Sequence, residues 1–104
     1  IMGAKEAGVA NLLNLSSSCI YPKSAKSPLS ESQILTGSLE PTNEGYAIAK
    51  IFALRLCEYI TQMHDELQFK TLIPCNLYGP FDKFDQMNAH LIPSIVAKIH
   101  DAKV

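Results

Sequence analysis

The chain has 104 residues, of which 47% are hydrophobic and 18% are charged, and its formal net charge is −1. This composition indicates a globular unit and excludes an intrinsically disordered segment. The nearly neutral charge provides no basic surface for a nucleic acid or an anionic membrane, and no apolar run approaches the roughly 18 residues of a membrane span.

Both ends of the chain have the pattern of helical segments. Residues 1–8 are typical of the last turns of a helix that ends at Gly8. Residues 100–104 lie within or just after another helix. Because natural domains rarely begin and end inside such elements, we expect these residues to be an internal part of a larger protein.

The chain has three cysteines, Cys19, Cys57 and Cys75, and they lack the C-x-x-C spacing of metal sites. An odd number of cysteines without that spacing predicts reduced thiols in a cytoplasmic protein.

Two apolar stretches predict buried parallel strands. The first is Val9 to Leu15, which continues into the polar residues Ser16 to Cys19. The second is Phe69 to Leu77, with Pro74 near the point where strand pairing stops. Ligands of open α/β sheets bind at the carboxyl ends of the strands, which favours a site at the three serines. A serine-rich turn without a ligand is the alternative.

A long loop is predicted from Ile20 to Pro41, with a turn near Ser30 to Ser32. Loops of this length are either functional or disordered, and we favour a functional loop because it separates two candidate catalytic segments. A helix follows, capped by Thr42 or Asn43 and ending near Met63. Its apolar residues surround most of its circumference, so we expect one face on the sheet and the other on a helix or second subunit.

This helix carries a tyrosine and a lysine four residues apart, Tyr46 and Lys50. Residues at this spacing lie on one helical face, so both side chains can reach a single site. A cation beside a tyrosine favours the ionised phenolate, which suits the phenol to proton transfer with an alcohol or an alkoxide. The alternative is an amphipathic helix with a half-buried tyrosine and a lysine that extends to solvent.

The remaining segments give weaker signals. We interpret His64 to Glu66 as a solvated turn, because three consecutive residues do not converge easily on one metal ion. Asn76 to Pro80 predicts a turn at the end of the second strand, and Phe81 to Ala89 predicts an irregular segment. A last helix is predicted for His90 to Ile99, with Pro93 in its first turn. His90 is either a catalytic residue or an ordinary surface residue.

The order strand, helix, strand, helix predicts an α/β fold, namely a βαβα part of a Rossmann-like, doubly wound parallel sheet. Ser17, Tyr46 and Lys50 then form a Ser and Tyr-x-x-x-Lys arrangement. The reduction of a ketone requires these residue types: a hydroxyl binds the carbonyl, a tyrosine supplies the proton, and a lysine assists the tyrosine and holds the cofactor ribose.

At these positions the chain resembles the extended short-chain dehydrogenase/reductase family, which includes the nucleotide-sugar epimerases and dehydratases. The resemblance covers nearly the whole chain. It is strongest in four segments: Ser17 to Lys23, Leu39 to Lys50, Asn76 to Asp82, and Asn88 to Pro93. Within the family it favours the members that epimerise and then reduce a GDP-4-keto-6-deoxy sugar with NADP(H).

The resemblance implies a role for each matching residue. It implies that Ser17, Tyr46 and Lys50 form the reductase triad and that Cys19 and His90 move protons at the carbons beside the keto group. Contacts with NADP(H) are implied for Leu15, Ser16, Ser17, Ser18, Tyr46, Lys50, Pro74, Cys75, Asn76, Leu77 and His90. Contacts with the GDP-sugar are implied for Asn76 and Lys98, although arginine is usual at the position of Lys98. It further implies a homodimer through residues 42–63.

Two departures from the family pattern stand out. Ser16 occupies a position where many relatives have glycine. The glycine-rich dinucleotide fingerprint and the C-terminal substrate lobe are both missing from the 104 residues. We therefore expect residues 1–104 to form the central part of an epimerase/dehydratase domain that alone neither binds NADP(H) tightly nor turns over. The alternatives are another nucleotide-sugar epimerase or dehydratase of the family and a non-catalytic Rossmann-like scaffold.

Overall fold

The structure is a computed structural model that describes residues 1–85 and 89–103. Its helices and strands, in chain order, are α1 (Met2–Glu6), β1 (Asn11–Leu15), α2 (Glu44–Met63), β2 (Gln68–Leu72) and α3 (Leu91–Asp101). Three short 3₁₀ turns add to these elements, at Ser18–Ile20, Glu31–Gln33 and Pro41–Asn43.

The two strands are parallel and α2 is the connection between them. Their register runs from Asn11 opposite Gln68 to Leu15 opposite Leu72. A parallel pair needs a crossover of a dozen or more residues, usually a helix, and α2 supplies it. The predicted α/β fold with a parallel sheet is therefore confirmed.

Both strands are shorter than predicted. β1 begins at Asn11 rather than Val9, because the chain turns at Gly8 (φ +74°) and the Val9 amide donates to the Ala4 carbonyl at 3.0 Å. β2 ends at Leu72 rather than Leu77. Strand pairing stops there because Pro74 has no N–H to donate and because the segment that follows β1 enters a 3₁₀ turn after Ser17.

The core lies between the sheet and one stripe of α2. Residues three and four positions apart on α2 form this stripe: Ala47, Ile51, Leu54, Cys57 and Ile60. Towards the start of the helix the stripe contacts Ile20 and Ile34, and towards its end it contacts Leu67 and Phe69. The loop after β1 thus folds back over α2 and helps to fix the start of the helix.

Among the described residues, β1 and α2 are each covered on one face only, and the expected contact of the other face of α2 with a helix or a second subunit stays a prediction. Leu13 of β1 is 63% exposed, because its face of the sheet has no covering helix among the described residues. The apolar outer face of α2 is also exposed, and Phe52 at its centre is 69% accessible. The packed core of the described residues lies on the side of α2 that faces the sheet and the loop after β1.

Polar bonds supplement the packing between α2 and the sheet. The Asn14 side-chain amide donates to the Thr71 hydroxyl at 3.2 Å, which joins β1 to β2. Thr71 also contacts the Cys57 thiol of α2. Burial raises the pKa of this thiol above its ordinary value of 9.0, while the hydrogen bond with Thr71 lowers it. Cys57 therefore serves as a small, protonated core residue.

Thr61 of α2 protects the outer edge of β2. Its hydroxyl accepts a hydrogen bond from the Phe69 amide at 2.9 Å and lies 3.1 Å from the Phe69 carbonyl oxygen, to which it donates. Both groups of Phe69 point away from β1, because successive residues of a strand present their backbone groups to opposite edges. A side chain of the helix thus replaces a neighbouring strand at this position.

The predicted polar turn and last helix are both present. The Leu67 amide donates to the His64 carbonyl at 3.0 Å in the turn after α2. His90 precedes the first residue of α3, and Pro93 lies in the first turn of that helix. Residues 86–88, which include Asn88 and belong to the segment predicted to be irregular, lie outside the described residues. In the part of the chain that is described, no helix is long and apolar enough to cross a membrane.

We expect the change of Thr61 to Val, in the full polypeptide that carries these residues, to lower the free energy of unfolding by about 1–3 kcal/mol. The physical reason is that two backbone groups of Phe69 lose their partner while the volume of the side chain stays the same. Urea denaturation measures the loss. Thr61→Ser is the matched control, since it keeps the hydroxyl; an equal loss in both variants would show that the methyl group, and not the hydrogen bonds, stabilises this contact.

Candidate functional site

A cleft of about 490 Å³ lies where the carboxyl ends of β1 and β2 meet the start of α2. Parallel strands end at the same edge of a sheet, so the segments after both strands open into this one cleft. The residues that line it are Ser16, Ser17, Cys19, Asn43, Tyr46, Pro74, Cys75, Asn76, Leu77 and His90.

A backbone bond holds the two strand ends together at the cleft. The Ser18 amide donates to the Pro74 carbonyl at 3.2 Å, beyond the last paired residues of the sheet. This bond brings the segments that carry Cys19 and Cys75 side by side, so both thiols lie on the cleft wall. Cys75 is exposed and Cys19 is partly buried, and neither forms a disulfide.

Ser17 is oriented by the 3₁₀ turn that follows it. Its backbone is extended (φ −157°, ψ 152°), and its hydroxyl oxygen accepts the Cys19 amide at 3.3 Å. A hydroxyl has one donor and two acceptor positions. Because the protein uses an acceptor position, the O–H of Ser17 stays available as a donor to a carbonyl oxygen in the cleft.

Lys50 connects the start of α2 to the end of β1. Its ammonium nitrogen donates to the Leu15 carbonyl oxygen at 2.8 Å. The same nitrogen lies 5.5 Å from the centre of the Tyr46 ring, within the range of a cation–π contact. Tyr46 is 50% exposed and lines the cleft, so its phenol is accessible to a ligand.

His90 and Asn76 also line the cleft. His90 caps the start of α3 through its backbone, whose carbonyl accepts the Ser94 amide at 3.0 Å, and its exposed side chain is left for other contacts. Asn76 follows β2 in an exposed irregular segment. The cleft therefore combines a phenol, an imidazole and a thiol from three separate segments of the chain.

A second tyrosine, Tyr21, lies near the cleft but is unsuited to proton transfer. Burial raises the pKa of its phenol above the ordinary value of 10.0, and the negative charges of Glu31 and Cys75 raise it further. A phenol with a raised pKa is a weaker acid at neutral pH. Tyr21 instead packs against the core cluster of Ile20 and Ile34.

The structure brings most of the predicted site residues into one cleft. Leu15, Ser18 and Lys50 adjoin it without lining it, through the backbone and ammonium bonds described above. Lys98 is the exception: it lies exposed in the last turn of α3 and is not among the residues of the cleft. The contact with the GDP-sugar that was expected of Lys98 stays a prediction.

Three further observations concern ligands. The buried hydroxyl of Ser16, at the base of the cleft, has no hydrogen-bond partner among the described residues. A larger groove of about 710 Å³ lies along the outer edge of β2, but its Arg55 and Glu58 are paired at 2.6 Å. In residues 1–85 and 89–103, no group of three or more His, Cys, Asp or Glu side chains is arranged to hold a metal ion.

Sequence reasoning missed one residue of the cleft, Asn43. It was predicted only as a possible helix cap, and its side chain forms no capping bond in the structure. The signal that could have identified it is the spacing to Tyr46, since residues three apart lie on the same helical face.

Comparisons with known proteins relate the whole chain to one family. The family described as "NAD dependent epimerase/dehydratase family" matches residues 1–104 of the chain. The chain is 57% identical over 99 residues to a GDP-L-colitose synthase of Yersinia pseudotuberculosis, covering 95% of this chain and 32% of that protein. It is 50% identical over 102 residues to a GDP-L-fucose synthase of Azorhizobium caulinodans, covering 98% and 32%.

A solved structure extends the comparison to three dimensions. The chain superposes on a GDP-L-fucose synthetase from Naegleria fowleri bound to NADP with a TM-score of 0.87 and 26% identity, covering 97% of this chain and 33% of that one. The chain thus spans about a third of the length of the curated relatives it matches.

Proposed function

The chain belongs to the NAD dependent epimerase/dehydratase family, and on this basis we propose that it forms the central third of an NADPH-dependent 3,5-epimerase/4-reductase. The reaction converts GDP-4-keto-6-deoxy-D-mannose to GDP-L-fucose. The observation that carries the proposal is the cleft itself, which holds Tyr46 together with Cys19 and His90. A reductase alone requires only the first of these.

The reduction uses Tyr46 and Lys50 at the start of α2 and Ser17 in the segment after β1. Ser17 donates its O–H to the C4 carbonyl oxygen and so polarises the carbonyl. NADPH, when bound, supplies the hydride that C4 receives. Tyr46 gives its proton to the C4 oxygen, which becomes the hydroxyl of the product. The Lys50 ammonium, 5.5 Å from the ring centre, stabilises the phenolate that remains.

The epimerisation uses Cys19 and His90, which also line the cleft. A C4 ketone acidifies the hydrogens on C3 and C5, so a base can remove one as a proton and leave an enolate. A second group then returns a proton from the opposite face and inverts the carbon. Cys19 and His90 suit these steps, because thiols and imidazoles titrate close enough to neutral pH.

The residues present fit the nicotinamide and ribose end of NADP(H). The Lys50 ammonium has three donor positions and uses one on Leu15, so the others are free for ribose hydroxyls. The cleft is open at the ends of both strands, which leaves a surface for the flat nicotinamide ring. The 104 residues contain no glycine-rich loop for the pyrophosphate, so turnover belongs to a longer polypeptide.

A second candidate is the synthesis of GDP-L-colitose, which the 57% identity to the Yersinia protein favours. Colitose is a 3,6-dideoxy sugar, so its keto precursor has no hydroxyl at C3 and only C5 needs inversion. The same residues serve both reactions. Synthesis of GDP-L-fucose inverts C3 and C5, whereas synthesis of GDP-L-colitose inverts C5 alone.

The test follows NADPH absorbance in the full polypeptide with GDP-4-keto-6-deoxymannose in deuterated water. We expect NADPH consumption with deuterium at C3 and C5 of the product, and at least a 100-fold slower consumption in Tyr46→Phe. Cys19→Ser and His90→Gln should suppress the deuterium exchange, whereas Tyr46→Phe should retain it. Consumption only with the 3-deoxy substrate favours GDP-L-colitose. Full activity in Tyr46→Phe contradicts the mechanism, and no consumption by the wild-type protein with either substrate favours a scaffold.

We also propose that two copies of the protein pair through α2 and that the enzyme is cytoplasmic, as its three free thiols suggest. Four apolar residues of α2 are exposed along one side of the helix: Ile48, Phe52, Tyr59 and Met63. Their spacing confines them to a narrow stripe opposite the sheet. A second copy of the same helix would bury this stripe as a symmetric interface.

We expect Phe52→Asp to convert the dimer of the full polypeptide to a monomer, because an unpaired carboxylate would be buried at the centre of the interface. Light scattering coupled to size exclusion measures the mass. Leu29→Asp places the same change on an exposed loop residue and should leave the dimer intact. A wild-type protein that is monomeric at micromolar concentration would rule the interface out.

A further inference from the structure

Asn43 occupies the capping position of α2 without acting as a cap. It is the residue before the first helical residue (φ −119°, ψ 5°), and asparagine is favoured there because its side chain can accept a backbone amide of the first turn. No such bond is present. The backbone N–H of Asn43 donates to the Glu40 carbonyl oxygen at 3.0 Å. The preceding 3₁₀ turn therefore fixes the backbone of Asn43 instead of a capping bond.

The side chain of Asn43 shares a helical face with the two residues of the reduction. Asn43, Tyr46 and Lys50 are spaced three and four residues apart, and Asn43 and Tyr46 line the same cleft. At a rise of about 1.5 Å per residue, Tyr46 lies about 6 Å from Lys50 along the axis and about 4.5 Å from Asn43. Tyr46 therefore stands between them.

The order of these residues places Asn43 and Lys50 on either side of Tyr46 along the helix. Lys50 adjoins the cleft through its bond to the end of β1, whereas Asn43 lines the cleft itself. A molecule that fills the cleft with its reacting carbon at Tyr46 is therefore within reach of Asn43 on one side of the phenol and of Lys50 on the other.

We propose that the Asn43 carboxamide binds a ring hydroxyl of the sugar and holds the keto carbon against Tyr46. A carboxamide offers both donor and acceptor groups, which complement a hydroxyl that is also both. The assignment rests on the proposed function, because it takes the sugar to be the ligand on this side. Asn43 is a substrate-binding residue and transfers no proton.

The test uses Asn43→Ala in the full polypeptide, with Thr42→Ala as the matched control. We expect the KM for GDP-4-keto-6-deoxymannose to rise about tenfold, the equivalent of one lost hydrogen bond. The dissociation constant of NADPH and the midpoint of thermal unfolding should not change, since no capping bond is lost. Asn43→Ser, which keeps a residue type suited to a helix cap, should show the same rise in KM. Thr42 does not line the cleft, and its hydroxyl donates to the Glu40 carboxylate at 3.5 Å. Thr42→Ala should therefore leave the KM, the NADPH dissociation constant and the unfolding midpoint unchanged.

A lower unfolding midpoint with an unchanged KM in Asn43→Ala would identify the side chain as a cap and overturn the assignment. Failure of the wild-type protein to consume NADPH would instead contradict the proposed function. Affinity for GDP-mannose, a stable GDP-sugar with its ring hydroxyls intact, then decides the role of Asn43: we expect a tenfold loss in the alanine variant. Equal affinity of both proteins, or no binding by either, overturns the assignment.

Discussion

The hydrogen bond from the Lys50 ammonium to the Leu15 carbonyl oxygen, at 2.8 Å, is the interaction on which the candidate site depends. Hydrogen bonds to charged groups contribute about 1.5–3 kcal/mol, more than those between neutral groups. This one joins the functional face of α2 to the end of β1. It therefore sets the position of Tyr46 relative to Ser17, although those two residues are separated by a long loop.

The parallel sheet explains why so few elements suffice to build the cleft. Both strands end at one edge, and the bond from Ser18 to Pro74 prolongs their association beyond the last paired residues. The chain after β1 turns back over α2, which seats Ile20 and Ile34 on the helix. Packing thus fixes the buried stripe of α2, and the exposed side of its first turn is left for chemistry.

Much of this arrangement could be predicted from the sequence, because it depends on local periodicity. The spacing of Tyr46 and Lys50 places them on one helical face in any helix, and a polar run after an apolar strand marks the carboxyl edge. The strand ends could not be predicted, since they depend on a bond between Val9 and Ala4 and on where the neighbouring strand turns. The position of Asn43 in the cleft could not be predicted either, because the sequence shows a capping residue type but not the absence of its capping bond.

Which surfaces the chain covers was the hardest feature to predict. The contact of Lys98 with the GDP-sugar stays a prediction, because Lys98 lies about 12 Å from His90 along the axis of α3 and outside the cleft. The hydrophobic pattern of β1 and α2 shows which of their surfaces are suited to burial. It does not show which of these surfaces other parts of the chain cover, and one face of each element is exposed. Tertiary contacts decide such cases.

The most direct test of the account is the single-turnover rate of hydride transfer in Lys50→Met, measured in the full polypeptide with saturating NADPH and GDP-4-keto-6-deoxymannose. Methionine keeps much of the apolar stem and removes the ammonium, with its bond to Leu15 and its contact with Tyr46. The account predicts a rate at least about 100-fold lower with the circular dichroism spectrum unchanged. A rate within about twofold of wild type would contradict it, because the link between α2 and β1 would then have no part in catalysis.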